Sequence, residues 1–203
     1  MTVVTRWAGR SAALLLAALL LAGCDKPPAA PAFNSVDITG ASYAKDFALT
    51  GHDGRPHRLA DFKGRVVVVF FGFAQCPDVC PTTLYDFAQA KQKLGPDGDR
   101  LQVVFITVDP ERDTQQVLAG YMANFDKSFL ALTGTPDQIA STAREFKVFY
   151  QKVPGRTETS YTIDHTAGSY VFDRDGRLRL FVKHGQGVEP IVADLRRLLQ
   201  APA

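Results

Sequence analysis

The sequence predicts an α/β sandwich, a central mixed sheet with helices on both faces, and three observations point to it. Two runs, Arg65-Val-Val-Val-Val-Phe-Phe71 and Leu101-Gln-Val-Val-Phe-Ile-Thr-Val108, show no in–out alternation. Such runs read as strands buried on both faces, the pattern of a sheet covered by helices. Helical segments alternate with the strand-like ones, which calls for right-handed crossovers and a parallel sheet core. The 203 residues, 46% hydrophobic and 22% charged, are the composition of an ordinary globular chain, enough for one full-sized core and little more.

The elements follow in order. Phe47 to Thr50 and His57 to Leu59 flank the Asp53-Gly54 turn and form an N-terminal β-hairpin. The first buried strand runs into Gly72 to Pro81, a turn-rich connector, and Thr83 with Asp86 predicts a helix opening there and running to about Leu94. The second buried strand is halted by Asp109-Pro110. Thr114 to Asn124 reads as a helix, Phe129 to Thr133 as a short strand and Pro136 to Phe146 as another helix. Ser169 to Phe172 and Leu178 to Phe181 form a second hairpin around Asp173-Arg-Asp-Gly176, and a helix from Glu189 to Leu199 closes the chain. That order is a thioredoxin-like three-layer sandwich with a central mixed sheet. Its site is expected at the carboxyl end of the first central strand, where open α/β folds place theirs.

The N-terminus is a separate matter. Arg6 and Arg10 precede the apolar run Ala12 to Ala22, which is too short to cross about 30 Å of hydrocarbon and suits a signal peptide. Leu21-Ala22-Gly23-Cys24 resembles a bacterial lipobox, in which Cys24 is acylated and becomes the first mature residue. Residues 1–23 are then a lipoprotein signal peptide, 24–32 a lipidated cysteine with a Pro/Ala tether, and 33–203 the folded domain. Asp25 resembles the residue that keeps lipoproteins on the inner membrane, so the expected location is its periplasmic face in a bacterial envelope. Lys+Arg minus Asp+Glu is 23 − 21 = +2, and 21 − 21 = 0 once Arg6 and Arg10 leave with the leader. A neutral domain has no electrostatic footprint for nucleic acid.

Lipidation of Cys24 leaves Cys76 and Cys80 as a pair. A bridge across three residues closes too small a loop to stabilise much through chain entropy. If Cys80 opens helical geometry, positions four apart share a face, roughly 6 Å apart along the axis. That separation suits a reactive disulfide or two thiolates on one metal ion, and a helix N-terminus favours thiolate in both cases. A two-sulfur site needs a further ligand. His52 and His57 flank the first turn and His184 lies in Lys-His-Gly-Gln-Gly, and all three read as surface histidines. His165, in Tyr161-Thr-Ile-Asp-His-Thr166, reads as part of a loop before the strand at 169, approaching the cysteines. Thioredoxin-like oxidoreductases carry a cis-proline at that loop, whereas here no proline lies between Pro154 and Pro190. Two thiolates and an imidazole form a soft, low-coordinate set that favours copper, Cu(I) or Cu(II) with an added oxygen ligand, over zinc. Asp78, between the cysteines, reads as a helix-start acid or a docking carboxylate.

Phe71-Gly72-Phe73, Cys76-Pro77-Asp78-Val79-Cys80-Pro81, Val108-Asp109-Pro110-Glu111-Arg112-Asp113-Thr114 and Asp164-His165 together closely resemble the Sco/SenC family. Its members are membrane-tethered, thioredoxin-like copper proteins that help assemble cytochrome c oxidase, and the resemblance covers about Phe33 to Leu199. It implies that Cys76, Cys80 and His165 are copper ligands and that Asp109 to Thr114 is an acidic loop beside them. It implies cytochrome c oxidase subunit II or its assembly factors as partners. Many relatives carry Thr-His before the first cysteine, whereas this chain has Ala74-Gln75, so an accessory basic group is missing.

The resulting expectation is a copper metallochaperone, rather than an enzyme with turnover, that matures the dinuclear copper site of subunit II. Alternatives are a thiol-disulfide reductase acting on the partner's cysteines through Cys76 and Cys80, a thiol peroxidase, and a copper sensor or store. No P-loop and no Gly-x-Ser-x-Gly elbow is present, so nucleotide and hydrolase chemistry find little support.

Overall fold

Every residue of Val66–Gly72 (β4) and of Leu101–Thr107 (β5) is buried, as two unalternating runs require, and the two pair in parallel from Val66 opposite Leu101 to Gly72 opposite Thr107. The fold is that of a computed structural model, which describes residues 32–157 and 160–201. The leader, Cys24 and most of the Pro/Ala spacer lie outside the described residues. Among the described residues no helix is long and apolar enough to cross a membrane.

Leu130–Thr133 (β6) extends the parallel set beyond β5. Ser169–Phe172 (β9) lies antiparallel on the other side of β4, followed outward by Leu178–Val182 (β10) and Val36–Asp37 (β1). The N-terminal hairpin, Ala48–Gly51 (β2) and Pro56–Arg58 (β3), adds to the opposite edge through β6. The sheet order is therefore β1-β10-β9-β4-β5-β6-β2-β3, mixed and eight-stranded. Gly54 takes the left-handed conformation (φ 78°) that the hairpin turn needs.

Val79–Lys93 (α1), Gln115–Met122 (α2), Pro136–Glu145 (α3) and Val188–Gln200 (α4) form the outer layers. Phe71 of β4 points to the α3 side, where it meets Phe146 at 5.2 Å between ring centroids, and Phe146 in turn meets Tyr170 and Phe172 of β9. Phe70, one residue earlier, points the other way, onto Phe105 of β5 (6.0 Å), which reaches Tyr121 of α2 (5.8 Å). On that second face α1 and α4 lie side by side. The expected three-layer thioredoxin-like sandwich is what forms. Capping starts two helices where the sequence places them. Thr114 Oγ1 accepts from the Val117 N–H, and Thr135 exchanges hydrogen bonds with Gln138 in a capping box.

Two expectations need correction. The helix expected to open at Thr83 begins four residues earlier, at Val79, and Thr83 is buried inside it, its hydroxyl 3.1 Å from His184 Nδ1. The segment read as a loop before β9 is a strand: Tyr161–His165 (β8) pairs antiparallel with Tyr150–Pro154 (β7), a separate two-stranded sheet. Tyr150–Pro154 is mostly exposed and carries neither an apolar run nor a clean alternation, and the alternation in Tyr161–His165 spans only five residues with a single buried one, Ile163, too weak a signal to mark a strand in sequence.

Candidate metal centre

Gly72 ends β4, and the loop Phe73–Asp78 turns directly into α1. A Cβ on Gly72 would stand 2.7 Å from Cys80 Sγ and 2.8 Å from the Phe105 ring, so only glycine lets the helix sit this close to the sheet. The Cys76 N–H donates to the Phe73 carbonyl at 3.2 Å, which folds the loop back on itself. The Ala74 N–H donates to Asp113 Oδ2 at 3.0 Å, fastening the loop to the start of the α2 segment. Asp78 occupies the N-cap position but makes no side-chain cap. The Cys80 N–H donates instead to the Cys76 sulfur at 3.4 Å. The unpaired donors of the helix start are thus turned toward a sulfur, where they favour its anionic form.

His165 is the last residue of β8, paired with Tyr150. Its Nδ1 lies 3.0 Å from the Thr166 carbonyl, which only accepts, so Nδ1 donates there and Nε2 is the ring atom turned to the sulfurs. Nε2 is 3.4 Å from Cys80 Sγ, and the three donor atoms of Cys76, Cys80 and His165 lie within 4.8 Å of one another. Phe70 and Phe73 meet the imidazole edge-on at 6.0 and 5.9 Å, giving it an apolar wall. Cys80 is buried and Cys76 half-buried, both with free thiols. Cys76 and His165 open onto a groove of about 290 Å³ also lined by Pro77, Thr162 and Asp164.

The two sulfurs are electrostatically unlike. A hydrogen bond from the Cys80 thiol brings the Cys76 thiol down to about 4. Hydrogen bonding with the His165 ring and with the Asp78 and Cys80 N–H groups adds to this against the opposing effect of burial. The same hydrogen bond, together with burial, holds the proton on Cys80. Cys76 is the ready thiolate, and Cys80 gives up its proton when a stronger acid, such as a metal ion, replaces the hydrogen bond. Below them Asp113 is 1% exposed, its carboxyl pushed upward by burial, and accepts from Thr107 Oγ1 at 2.6 Å.

The remaining predicted residues divide cleanly. His52 Nδ1 accepts from the Ala131 N–H, His57 pairs with Asp53 at 3.1 Å, and His184 meets Thr83, so none of them joins the cysteines. Asp78 is exposed, its carboxylate accepting weakly from Thr82. Asp109 is buried and bound by Arg112 and the Tyr161 hydroxyl, a tie between residues 52 positions apart that nothing in the sequence announces.

The SCO1/SenC family model matches residues 36–200. The mitochondrial SCO2 homolog of Mus musculus is 39% identical over 158 residues, 77% of this chain and 62% of that protein, so the chain spans less than two thirds of that relative's length. Among solved structures, copper-bound ScoI of Bradyrhizobium japonicum superposes with a TM-score of 0.70 at 38% identity, covering 75% of this chain and 97% of that one. Apo Sco1 of Thermus thermophilus superposes at 0.74 with 42% identity, covering 84% and 99%. With the matched residues running from β1 to the end of α4, the chain belongs to the SCO1/SenC family.

Proposed function

We propose that this protein is a copper metallochaperone, that Cys76, Cys80 and His165 are its copper ligands, and that its recipient is the dinuclear copper site of cytochrome c oxidase subunit II. One observation carries the reading: two sulfurs and an imidazole nitrogen converge within 4.8 Å at the rim of a groove. Two soft thiolates and one nitrogen suit three-coordinate Cu(I), with room toward the groove for the oxygen ligand that Cu(II) would add. Hydrogen-bonding of Nδ1 to a backbone carbonyl is the outer-shell arrangement that orients a metal-bound histidine. The copper-bound relative at 38% identity supports copper as the metal.

Copper is cargo here, and delivery is ligand exchange without a change in electron count. An incoming partner thiolate approaches from the groove, where Cys76 is half-exposed, and bonds the metal as the Cys76 sulfur leaves. Cys80 and His165 follow. The lipobox-like Leu21-Ala22-Gly23-Cys24 supports a lipid anchor on Cys24 and a site of action at the periplasmic face of a bacterial inner membrane.

The test is anaerobic copper titration of the full chain in detergent, beside Cys76→Ala, Cys80→Ala and His165→Ala. The parent is expected to take up a single copper per chain. Either cysteine variant loses stoichiometric loading, and His165→Ala weakens Cu(II) more than Cu(I). Unchanged Cu(II) binding in His165→Ala overturns the ligand set.

The division between a ready Cys76 thiolate and a protonated Cys80 also favours a second reading, a thiol-disulfide reductase that keeps the recipient's cysteines reduced. In cells the two separate at His165. Oxidase assembly that survives His165→Ala but not Cys76→Ala assigns the role to thiol exchange.

A further inference from the structure

Among the described residues the β7–β8 sheet that carries His165 pairs strand to strand only within itself. Beside the Phe70 and Phe73 rings at His165, the Asp109–Thr114 segment faces it from the body. The Arg112 guanidinium stacks 3.6 Å from the centre of the Tyr161 ring, the first residue of β8, and Nη1 donates to the Tyr161 carbonyl at 3.0 Å. The same Nη1 donates to Gln75 Oε1 at 3.2 Å, next to Cys76, and the guanidinium lies 5.9 Å from the Phe73 ring. Nε donates to Asp109, whose other oxygen accepts from the Tyr161 hydroxyl at 2.8 Å. One planar cation therefore touches all three segments of the centre. A second, more exposed pair, Lys152–Glu111 at 2.7 Å, joins the hairpin to the same loop. Exposed pairs of that kind contribute little, whereas a stacked guanidinium whose buried partner Asp109 is 1% exposed holds firmly.

We infer that Arg112 is a positioning residue that pins the β7–β8 hairpin, and with it His165, against the cysteine loop, and so sets how tightly the centre holds copper. The inference rests on the ligand set proposed above. Gln75 has a defined part in it: its amide oxygen accepts from the cation beside Cys76.

The test uses the full chain in detergent with Arg112→Ala, Arg112→Lys, Tyr161→Phe and His165→Ala, read by Cu(II) affinity and by the nitrogen hyperfine coupling in the Cu(II) electron paramagnetic resonance spectrum. Arg112→Ala is expected to weaken Cu(II) by about 10-fold to 100-fold and to lose nitrogen coupling toward the His165→Ala spectrum. Arg112→Lys is expected to fall short of rescue, because an ammonium cannot stack and span the same acceptors. In the metal-free chain, amide hydrogen exchange at 161–165 should quicken in Arg112→Ala while β4 and β5 stay protected. Parent-like affinity and spectrum in Arg112→Ala overturn the inference, as does full rescue by lysine. If Arg112→Ala exposes β4 and β5 as well, Tyr161→Phe decides: a smaller shift in the same direction supports the latch and none contradicts it. A parent that binds no copper defeats the proposed function, and the exchange measurement then still judges the latch.

Discussion

Cys76 and Cys80 stand four residues apart, yet their protons are held in opposite ways, and this is open to a simple chemical test. With its thiol near 4, Cys76 in the reduced, metal-free chain should react with iodoacetamide at a rate that stays flat from pH 8 to about pH 5. An ordinary thiol loses about tenfold per unit below its value near 8.5. Below pH 4 the Cys76 rate should fall as the sulfur takes its proton, and buried Cys80 should remain unmodified throughout, as mass mapping would show. The sulfur pair and His165 were legible in the sequence because their chemistry is scarce. The groups that orient them were not. The Thr166 carbonyl, the Phe70 and Phe73 rings and the Arg112 guanidinium are common groups brought together from distant parts of the chain, and only folding reveals their roles.

Among the elements, the junction of β4 and α1 is the least forgiving. Gly72→Ala should push Cys80 and Phe105 apart, costing about 1–3 kcal/mol of stability as other overpacked sites do, and lowering copper loading as well. Urea unfolding and titration on the same variant check both halves. The central strands, the crossover helices and both sheet hairpins were readable because long apolar runs and turn residues signal them directly. The β7–β8 hairpin was hidden because Tyr150-Gln-Lys-Val-Pro154 is mostly exposed and lacks an apolar stripe. The start of α1 was misplaced because Thr83 looks like a cap, while the actual start uses a cysteine sulfur as acceptor in place of a hydroxyl or carboxylate.

Across the whole molecule, the metal centre lies on one face of the sheet and a large aromatic cluster on the other. Phe146 packs with Phe71, Tyr170 and Phe172 on the α3 side, away from the sulfurs. Phe146→Ala should cost about 3–5 kcal/mol while leaving the copper spectrum of the folded fraction unchanged, which thermal unfolding and spectroscopy on one sample would establish. At the start of the domain, buried Asp194 accepts from the Asn34 and Ser35 N–H groups at 2.9 and 2.7 Å, pinning the first residues of the domain to α4. Metabolic labelling with a tagged fatty acid should mark the parent chain and not Cys24→Ala, with copper binding intact in both. A parent that takes no label would contradict the lipid anchor.

The convergence of two sulfurs and one imidazole is most directly tested by copper X-ray absorption on the loaded full chain, with His165→Ala beside it. The expected parent spectrum fits two sulfur neighbours near 2.3 Å, the length of a metal–thiolate bond, and one imidazole whose outer-shell scattering disappears in the variant. Identical spectra from the two proteins, or a sulfur-only shell in the parent, would contradict it.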